Sequence, residues 1–314
     1  MNESADGNVL DSAMRKQRLL MPVLLACGLS QWVLPADLPT IRPPDGVMSQ
    51  GDRVRFLFNH NIWLDSDGNP LAIQDENELV DFLSTAEVVD VKRISIGING
   101  IYKVLLEKDG VRIWAGYRNV NVMRPPAQHA GRVINRFFRD SAIFEVAAYR
   151  LSRMLGLNAV PPTVKRRLFH SSGTLQLWVE NAMMEKKRRE RGIGPVSATQ
   201  RVFQLQNMKV FDALIENEDR NVGNMLWDGQ WRLWMIDHTR SFRNSSVPPQ
   251  LALVQACDRY LFERLRDLDR AEVEKQLGGL LSGRQLNALF KRQASLVEHL
   301  GSLVETRGAP KVLF

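Results

Sequence analysis

Three side chains in the second half of the sequence have the types and spacing of a metal site that serves a phosphate group. Asp219 and Asn224 stand in a polar loop, and Asp237 follows Asn224 by thirteen residues at the end of an apolar strand. Mg²⁺ prefers hard oxygen ligands in octahedral geometry and shares its coordination shell with phosphate oxygens. The intervening residues predict a hairpin with its turn near Asp228–Gln230, which would return Asp237 to the neighbourhood of Asn224.

The Asp-x4-Asn spacing in this loop is also that of a kinase catalytic loop. There the aspartate handles the nucleophile and the asparagine binds a metal ion. Asp and Asn are common in ordinary turns as well. A turn role for Asp219 and Asn224, and a strand-end capping role for Asp237, are therefore the alternatives to a catalytic site.

The sequence around the loop carries a resemblance to a known superfamily. The segment VFDALIENEDRNVGNMLWDGQWRLWMIDHTRSF resembles the catalytic segment of phosphoinositide kinases, HipA-type kinases and secretory-pathway kinases. FEVAAYRLSRMLGLNAVPPTV and the final KVLF resemble uncharacterised bacterial proteins with an atypical kinase-like domain. The resemblance extends roughly from Val88 to Phe314 and is most specific over residues 209–243.

The resemblance implies a two-lobed α+β fold of the protein-kinase type, with a small β-rich N-lobe and a helical C-lobe. It implies ATP and Mg²⁺ (or Mn²⁺) as cofactors and an unidentified acceptor, which could be a protein hydroxyl, a lipid or a small molecule. Asp219 would be the catalytic aspartate, and Asn224 and Asp237 would bind the metal. Glu145 would be the glutamate of the αC helix.

The same resemblance assigns residues to the nucleotide. A turn that contains Gly97 and Gly100 would cover the phosphates, and Gln176–Asn181 would be the hinge that carries the adenine. Arg118 stands where the family has a lysine and would pair with the αC glutamate to hold the phosphates. Arginine keeps the charge but not the compact geometry of an ammonium group. Lys103, on the preceding strand, could reach across, or it could be a solvated strand residue.

These departures leave more than one function open. The leading hypothesis is an ATP- and Mg²⁺-dependent phosphotransferase. Because the usual lysine is replaced, a catalytically weak or inactive pseudokinase that binds nucleotide and acts as an interaction module is the alternative. Asn221, where phosphoinositide kinases have histidine, removes a candidate acid or base but leaves the metal site intact.

The charge distribution provides a third hypothesis. The chain of 314 residues has 42 Lys and Arg against 35 Asp and Glu, a net charge of +7. Residues 132–191 alone hold 13 basic and 5 acidic side chains, which favours a polyanion-binding protein. The basic run Lys186–Arg191 lacks interleaved aromatic residues and a nucleic-acid fold motif, so it predicts an exposed loop and no specific nucleic-acid partner.

Composition excludes several classes of protein. With 44% hydrophobic and 25% charged residues, the chain is neither disordered nor fibrous. No run of 18 apolar residues is present, which excludes a multi-span membrane protein. Two cysteines are too few for a disulfide scaffold or a cysteine-based zinc site.

The N-terminal segment resembles an export signal. Basic residues after Met14 precede the apolar run LLMPVLLACGL, and Leu24-Leu25-Ala26-Cys27 resembles a bacterial lipobox. Cys27 would then be lipidated and would attach the protein to a membrane, with translation starting at Met14. A buried apolar helix or strand is the alternative. The pattern favours the bacterial cell envelope slightly over the cytoplasm.

The chain divides by composition into successive parts. Residues 1–34 form the predicted leader, and residues 35–87 form a proline-marked linker with a small extension of unknown role. Strands dominate residues 88–181 and helices dominate residues 198–314, which predicts a sheet lobe followed by a helical lobe.

Local signals place the elements near the predicted site. Asp109-Gly110 is a hairpin turn between two strand-forming runs. A helix is predicted from about Ala142 to Leu155, with Asp140 or Ser141 as its N-cap and Gly156 after its end.

The remaining elements follow from similar signals. The strands TVKRRLF and TLQLWVEN are predicted to be joined by a turn at Ser171–Gly173, and a helix to span Gln200–Ile215. Ser282 and Gln285 form a capping-box pattern at the start of a helix that runs to about Thr306.

Overall fold

The computed structural model describes residues 62–94, 101–124, 127–129, 132–135, 138–194 and 197–314. Gly97 and Gly100, predicted to cover the phosphates, lie outside the described residues. The predicted leader lies outside them too, together with Cys27. The helices in the described ranges include none that is long and apolar enough to cross a lipid bilayer.

The strands and helices follow the chain order that the sequence predicts, strands first and helices later. The strands are β1 Glu87–Ile94, β2 Ile101–Lys108, β3 Val111–Arg118, β4 Asn121–Arg124, β5 Ala127–His129, β6 Arg132–Asn135, β7 Phe138–Ser141, β8 Thr163–Leu168, β9 Ser171–Leu177, β10 Met183–Met184, β11 Met225–Trp227 and β12 Leu233–Met235. The α-helices are α1 Glu76–Thr85, α2 Ile143–Met154, α3 Glu185–Glu190, α4 Ala198–Ile215, α5 Arg259–Arg266, α6 Arg270–Leu277, α7 Gly283–Arg307 and α8 Ala309–Val312.

The sheet lobe is built on a five-stranded antiparallel sheet in the order β1-β2-β3-β9-β8. Its buried face carries Val104, Leu106 and Leu175, which pack in one apolar cluster with Leu79 and Phe82 of α1. Helix α1 begins at its N-cap Asp75, whose carboxylate accepts two backbone N–H groups. The sheet and α1 thus share a single core.

A β-arm and a helix separate β3 from β8. In the arm, β4 pairs with β7 and β5 pairs with β6, and the sequence analysis did not predict these strands. Helix α2 confirms the helix predicted from Ala142 to Leu155, but the predicted capping is wrong. Ala142 is the N-cap residue and makes no side-chain cap. The Asp140 carboxylate instead accepts a hydrogen bond from Arg240, and Ser141 donates its backbone N–H to the Thr239 carbonyl at 2.8 Å.

The turn between β8 and β9 lies two residues earlier than predicted. Strand β9 already begins at Ser171, and the turn is formed by Phe169 and His170, whose φ angles are 52° and 60°. Gly173, which predicted the turn, is instead needed for packing inside β9. A Cβ on Gly173 would collide with the backbone carbonyl of Arg118 and would lie 2.8 Å from the ring of Tyr117, so this strand position requires glycine.

The basic run after β10 is a helix and not the loop that the sequence predicts. Glu185, at the start of α3, is 1% exposed and accepts hydrogen bonds from Arg188 and Arg189 on the next turn. The Trp227 indole donates to the same carboxylate at 2.8 Å. Arg188 and Arg189 therefore pair with the buried Glu185 of their own helix. The spacings i, i+3 and i, i+4 place these side chains on one helix face.

The helical lobe packs around α4, whose buried residues include Val210, Phe211 and Leu214. Helix α7 packs on α4 and begins with the predicted capping box: Ser282 and Gln285 satisfy each other's backbone N–H groups. The predicted hairpin is confirmed as β11 and β12, in which Met225 pairs with Met235.

The last residues of the chain complete the helical lobe. Buried Cys257 donates its backbone N–H to the Val312 carbonyl at 2.8 Å, and Phe314 donates its own to the Cys257 carbonyl. The Phe314 ring stacks on Phe203 of α4, with centroids 3.8 Å apart and planes 4° from parallel. The chain end therefore ties α4 to the start of α5.

Candidate active site

An ion pair joins the sheet lobe to the segment that follows β12. Arg118, the last residue of β3, donates from Nη1 to Oδ1 of Asp237 at 2.7 Å. Thr239 donates to the same oxygen at 3.1 Å. Asp237 has a left-handed φ of 62°, a conformation that aspartate tolerates better than most side chains. Both donors use Oδ1, so the carboxylate is fixed, and among the described residues none donates a hydrogen bond to Oδ2.

A cleft of about 720 Å³, part of it open to solvent, lies beside this ion pair. Arg118 and Glu145 supply its charged end. The other walls come from the sheet, the predicted hinge and the β11–β12 hairpin, and include Ile101, Gly116, Gln176, Trp178, Leu226 and Ile236. A mostly apolar cleft with charge at one end fits a flat ring that carries an anionic tail.

Glu145 of α2 lies at this charged end of the cleft, but its hydrogen bond is to His238 and not to Arg118. It is 2% exposed, and its Oε2 lies 3.1 Å from Nδ1 of His238, which is fully buried. Burial alone would raise the pKa of Glu145 above 4.5, but the His238 hydrogen bond and the charge of Arg118 lower that pKa. Glu145 is therefore held ionised inside the protein.

The sequence predicts a pair between Arg118 and Glu145, and the structure joins them through charge and not through a hydrogen bond. Within the described ranges, Oε1 of Glu145 has no hydrogen-bond partner. Burial opposes the charge on Arg118, but Glu145 and then Asp237 raise the pKa of its guanidinium. Arg118 therefore carries a permanent positive charge between two carboxylates.

The sequence analysis did not single out Arg220, which organises the predicted catalytic loop. It forms a bidentate pair with Asp212 of α4, with both distances 2.9 Å. Its Nη1 donates to the carbonyls of Asn224 and Ile236 at 2.7 and 2.8 Å, and its Nη2 lies 3.0 Å from Nε2 of His238. The only signal in the sequence was its position next to Asp219.

These contacts determine the tautomer of His238. Arginine only donates hydrogen bonds, so Nε2 of His238 accepts from Arg220, and Nδ1 carries the proton that is donated to Glu145. A continuous chain of buried polar contacts thus runs from Asp212 through Arg220 and His238 to Glu145. It links α4, the loop, the segment after β12 and helix α2.

Asp219 is the accessible carboxylate of the loop, with 40% of its side chain exposed. Its Oδ2 accepts from Nη1 of Arg240 at 3.0 Å. Its backbone carbonyl accepts from the amides of Asn221 and Asn224 at 3.1 and 3.0 Å. The loop is therefore held by its own side chains, and no residue of the described part of the chain makes a hydrogen bond to Oδ1 of Asp219.

Asn224 and Asp237 have donor atoms that suit Mg²⁺. Nδ2 of Asn224 donates to the Asp219 carbonyl, so Oδ1 is the side-chain atom of Asn224 that could bind a metal ion. The backbone N–H of Ile236 donates to the Asn224 carbonyl at 3.2 Å, which brings residue 237 beside Asn224. Within the described ranges, no cluster of three or more His, Cys, Asp or Glu could hold a metal. Two oxygen ligands fit a Mg²⁺ ion that completes its shell with phosphate oxygens and water.

Lys103 does not lie at the charged end of the cleft. Its Nζ lies 3.3 Å from Glu180 and 4.4 Å from the centroid of the Trp178 ring. Burial lowers the pKa of Lys103, against the opposing charge of Glu180. The Lys103 side chain is half-buried beside the predicted hinge. It therefore neither reaches across the cleft toward Glu145 nor points freely into solvent.

Comparisons with known proteins identify the fold. No protein-family model and no curated protein matches the chain. Hydra Fam20 with sugar matches with a TM-score of 0.60 and 14% identity, over 85% of this chain and 99% of that chain. The Golgi casein kinase matches with a TM-score of 0.55 and 16% identity, over 85% and 84%. The structure of the Golgi casein kinase with Mn/ADP bound matches with a TM-score of 0.55 and 15% identity, over 85% of this chain and 84% of that chain.

At these identities the likeness shows the fold and not the activity. The chain has an atypical kinase-like fold, as the sequence predicts: an α+β architecture with a sheet lobe and a helical lobe.

Proposed function

We propose that this chain is an atypical kinase that transfers a phosphoryl group from ATP, with Mg²⁺ or Mn²⁺, to an acceptor hydroxyl. The observation that carries the proposal is the ion pair between Arg118 and Asp237 at the mouth of a cleft that Glu145 also lines. A kinase-like fold supports it, as does a neighbour of that fold whose structure holds Mn/ADP.

In this proposal each residue has a role that its contacts support. Bound nucleotide and metal supply the phosphoryl group and neutralise its charge. Oδ1 of Asn224 and Oδ2 of Asp237 hold the metal, and Arg118 holds phosphate oxygens. Asp219 orients the acceptor hydroxyl and takes its proton at Oδ1. Phosphoryl transfer depends mostly on such positioning and on electrostatic stabilisation, and little on covalent chemistry by the protein.

The first experiment measures thermal stability with ADP and Mg²⁺ or Mn²⁺. At a nucleotide concentration about 100 times Kd, binding adds roughly 2.7 kcal/mol to the free energy of unfolding, which raises Tm by several degrees. Asp237→Asn should lose the metal-dependent part of the shift. Asp267→Asn, an exposed carboxylate distant in sequence, is the matched control. The absence of any shift in the wild type would contradict the proposal.

A second variant tests the cleft without changing a charge. A Cβ on Gly116 would lie 3.6 Å from Ile101 and 3.9 Å from Trp178, so a larger side chain extends into the space between them. Gly116→Leu should abolish the nucleotide-induced shift while the folded protein keeps its ion pairs. An undiminished shift in this variant would place nucleotide elsewhere.

A nucleotide-binding pseudokinase is the second candidate function. It is favoured by the arginine at position 118 and by the hydrogen bond that this arginine makes to the predicted metal ligand Asp237. Both candidates predict metal-dependent nucleotide binding, and only the kinase predicts transfer of labelled phosphate that Asp219→Asn removes. The polyanion-binding alternative is less well supported, because Arg188 and Arg189 both pair with buried Glu185.

A further inference from the structure

Phosphoryl transfer requires positive charge beside the oxygens of the transferred group, and an arginine supplied in cis is one source of that charge. Arg220 is the basic residue of the predicted catalytic loop. Its guanidinium is 8% exposed and is fully used in contacts to Asp212, two carbonyls and His238. It holds the loop together and is not available to a ligand.

Arg118 lies at the charged end of the cleft, and in the proposed function it already holds phosphate oxygens. It lies on the sheet lobe and holds Oδ1 of Asp237 at 2.7 Å. Within the described ranges, Arg240 is the cation whose hydrogen bond reaches the carboxylate of Asp219, at 3.0 Å. Its side chain is 27% exposed, so part of the guanidinium is accessible from the surface that Asp219 shares.

The fold fixes the position of Arg240. Its Nε lies 3.4 Å from Oδ2 of Asp140, a carboxylate that is almost fully buried. The neighbouring backbone is tied to the arm, since Ser141 donates to the Thr239 carbonyl at 2.8 Å. Arg240 therefore bridges the sheet lobe and Asp219, three residues after the predicted metal ligand Asp237.

We propose that Arg240 is a catalytic residue that contacts the terminal phosphate of the bound triphosphate. The inference rests on the proposed function, in which the acceptor hydroxyl lies between Asp219 and that phosphate. A guanidinium in hydrogen-bond contact with Asp219 then borders the space in which the acceptor hydroxyl meets the transferred group. Its planar fork suits two phosphate oxygens at once.

The test compares binding of a non-hydrolysable ATP analogue with binding of ADP, both with Mg²⁺, by calorimetry. Loss of a hydrogen bond between charged groups should weaken binding of the analogue by Arg240→Gln roughly 10- to 100-fold and leave ADP binding nearly unchanged. Arg240→Lys, which keeps the charge, should give an intermediate ratio. Because the readout is binding, it does not depend on the acceptor.

Arg243→Gln is the matched control. Arg243 pairs with Glu218, the neighbour of Asp219, at 2.7 Å, and its removal should leave the ratio of the two affinities as in the wild type. An Arg240→Gln variant that weakens both nucleotides equally, or neither, would overturn the assignment while the proposed function stands. A wild-type protein that binds neither nucleotide would overturn the proposed function and this inference together.

Discussion

The contact between Glu145 and His238 allows a quantitative test of the buried polar chain. His238→Phe keeps an aromatic ring in a fully buried position but removes the proton that Nδ1 donates to Glu145. Within the described ranges Oε1 of that carboxylate has no hydrogen-bond partner, so after the substitution the buried charge would keep only the backbone N–H of His238 and the charge of Arg118 to offset its burial. Leaving a buried acceptor without its hydrogen bond costs about 1–3 kcal/mol, and more when the acceptor is charged.

A double-mutant cycle separates the hydrogen bond from the change in packing. Glu145→Gln preserves the shape of the side chain and removes its charge. If the hydrogen bond between the charged carboxylate and the imidazole is as strong as described, the two substitutions should show a coupling of about 1.5–3 kcal/mol. Urea unfolding, with Cm and the m-value fitted separately, measures the free energy of unfolding of the wild type, the two single variants and the double variant. Coupling below roughly 0.5 kcal/mol would refute the reasoning.

The pH dependence gives a second reading of the same contact. The pKa of Glu145 is lowered in the folded protein, below the ordinary value of 4.5, so the folded state favours the ionised form. Its contribution to stability is therefore complete above that value and is lost as the pH falls through the folded pKa. The stability advantage of the wild type over Glu145→Gln should shrink on acidification, and an advantage that grows would contradict the assignment.

Three further predictions follow from other residues. Gly173→Ala should lower the free energy of unfolding by about 3 kcal/mol or more in urea unfolding, because its Cβ would collide with the Arg118 backbone carbonyl and the Tyr117 ring, whereas Gly279→Ala extends into open space and should cost far less. Burial opposes the charge of Glu185, but hydrogen bonds from two arginines and an indole lower its pKa to about 2. Its stabilisation of about 2–3 kcal/mol should be complete above pH 4.5 and lost as the pH falls toward 2, and a Glu185→Gln variant with an unchanged acid limb would contradict this. Cys27, outside the described residues, is predicted to be lipidated, so Cys27→Ser should move an exported protein from the membrane fraction to the soluble one, and equal fractionation would contradict the leader.

The sequence contained much of the architecture because its signals were local. The capping box at Ser282 and the hairpin between Asn224 and Asp237 depend on residues close together in the chain, and both are present. The turn between β8 and β9 was misplaced because its cause is not local. Glycine usually marks a turn, but Gly173 is required inside β9 by the Arg118 carbonyl and the Tyr117 ring of β3, a strand that lies far away in the sequence.

The contacts that define the candidate site were less accessible to sequence reasoning. Arg118 and Glu145 both line the cleft, but the choice of Asp237 as hydrogen-bond partner of Arg118 depends on how the two lobes approach each other. His238 donates its hydrogen bond to Glu145 because the buried guanidinium of Arg220 occupies the other nitrogen of its ring. Residue types and their spacing do not show which of several nearby groups a side chain will bond to.

The contact between the chain end and α4 has a consequence for how the protein folds. Phe203 and Phe314 stack although they lie more than a hundred residues apart in the sequence, and closing so long a loop costs entropy before the contact repays it. The hairpins β1–β2, β2–β3 and β8–β9 of the sheet lobe join strands that are neighbours in the chain and carry a smaller penalty. We expect these hairpins to acquire protection from hydrogen exchange early in refolding, and the contact between α4 and the chain end to be protected last.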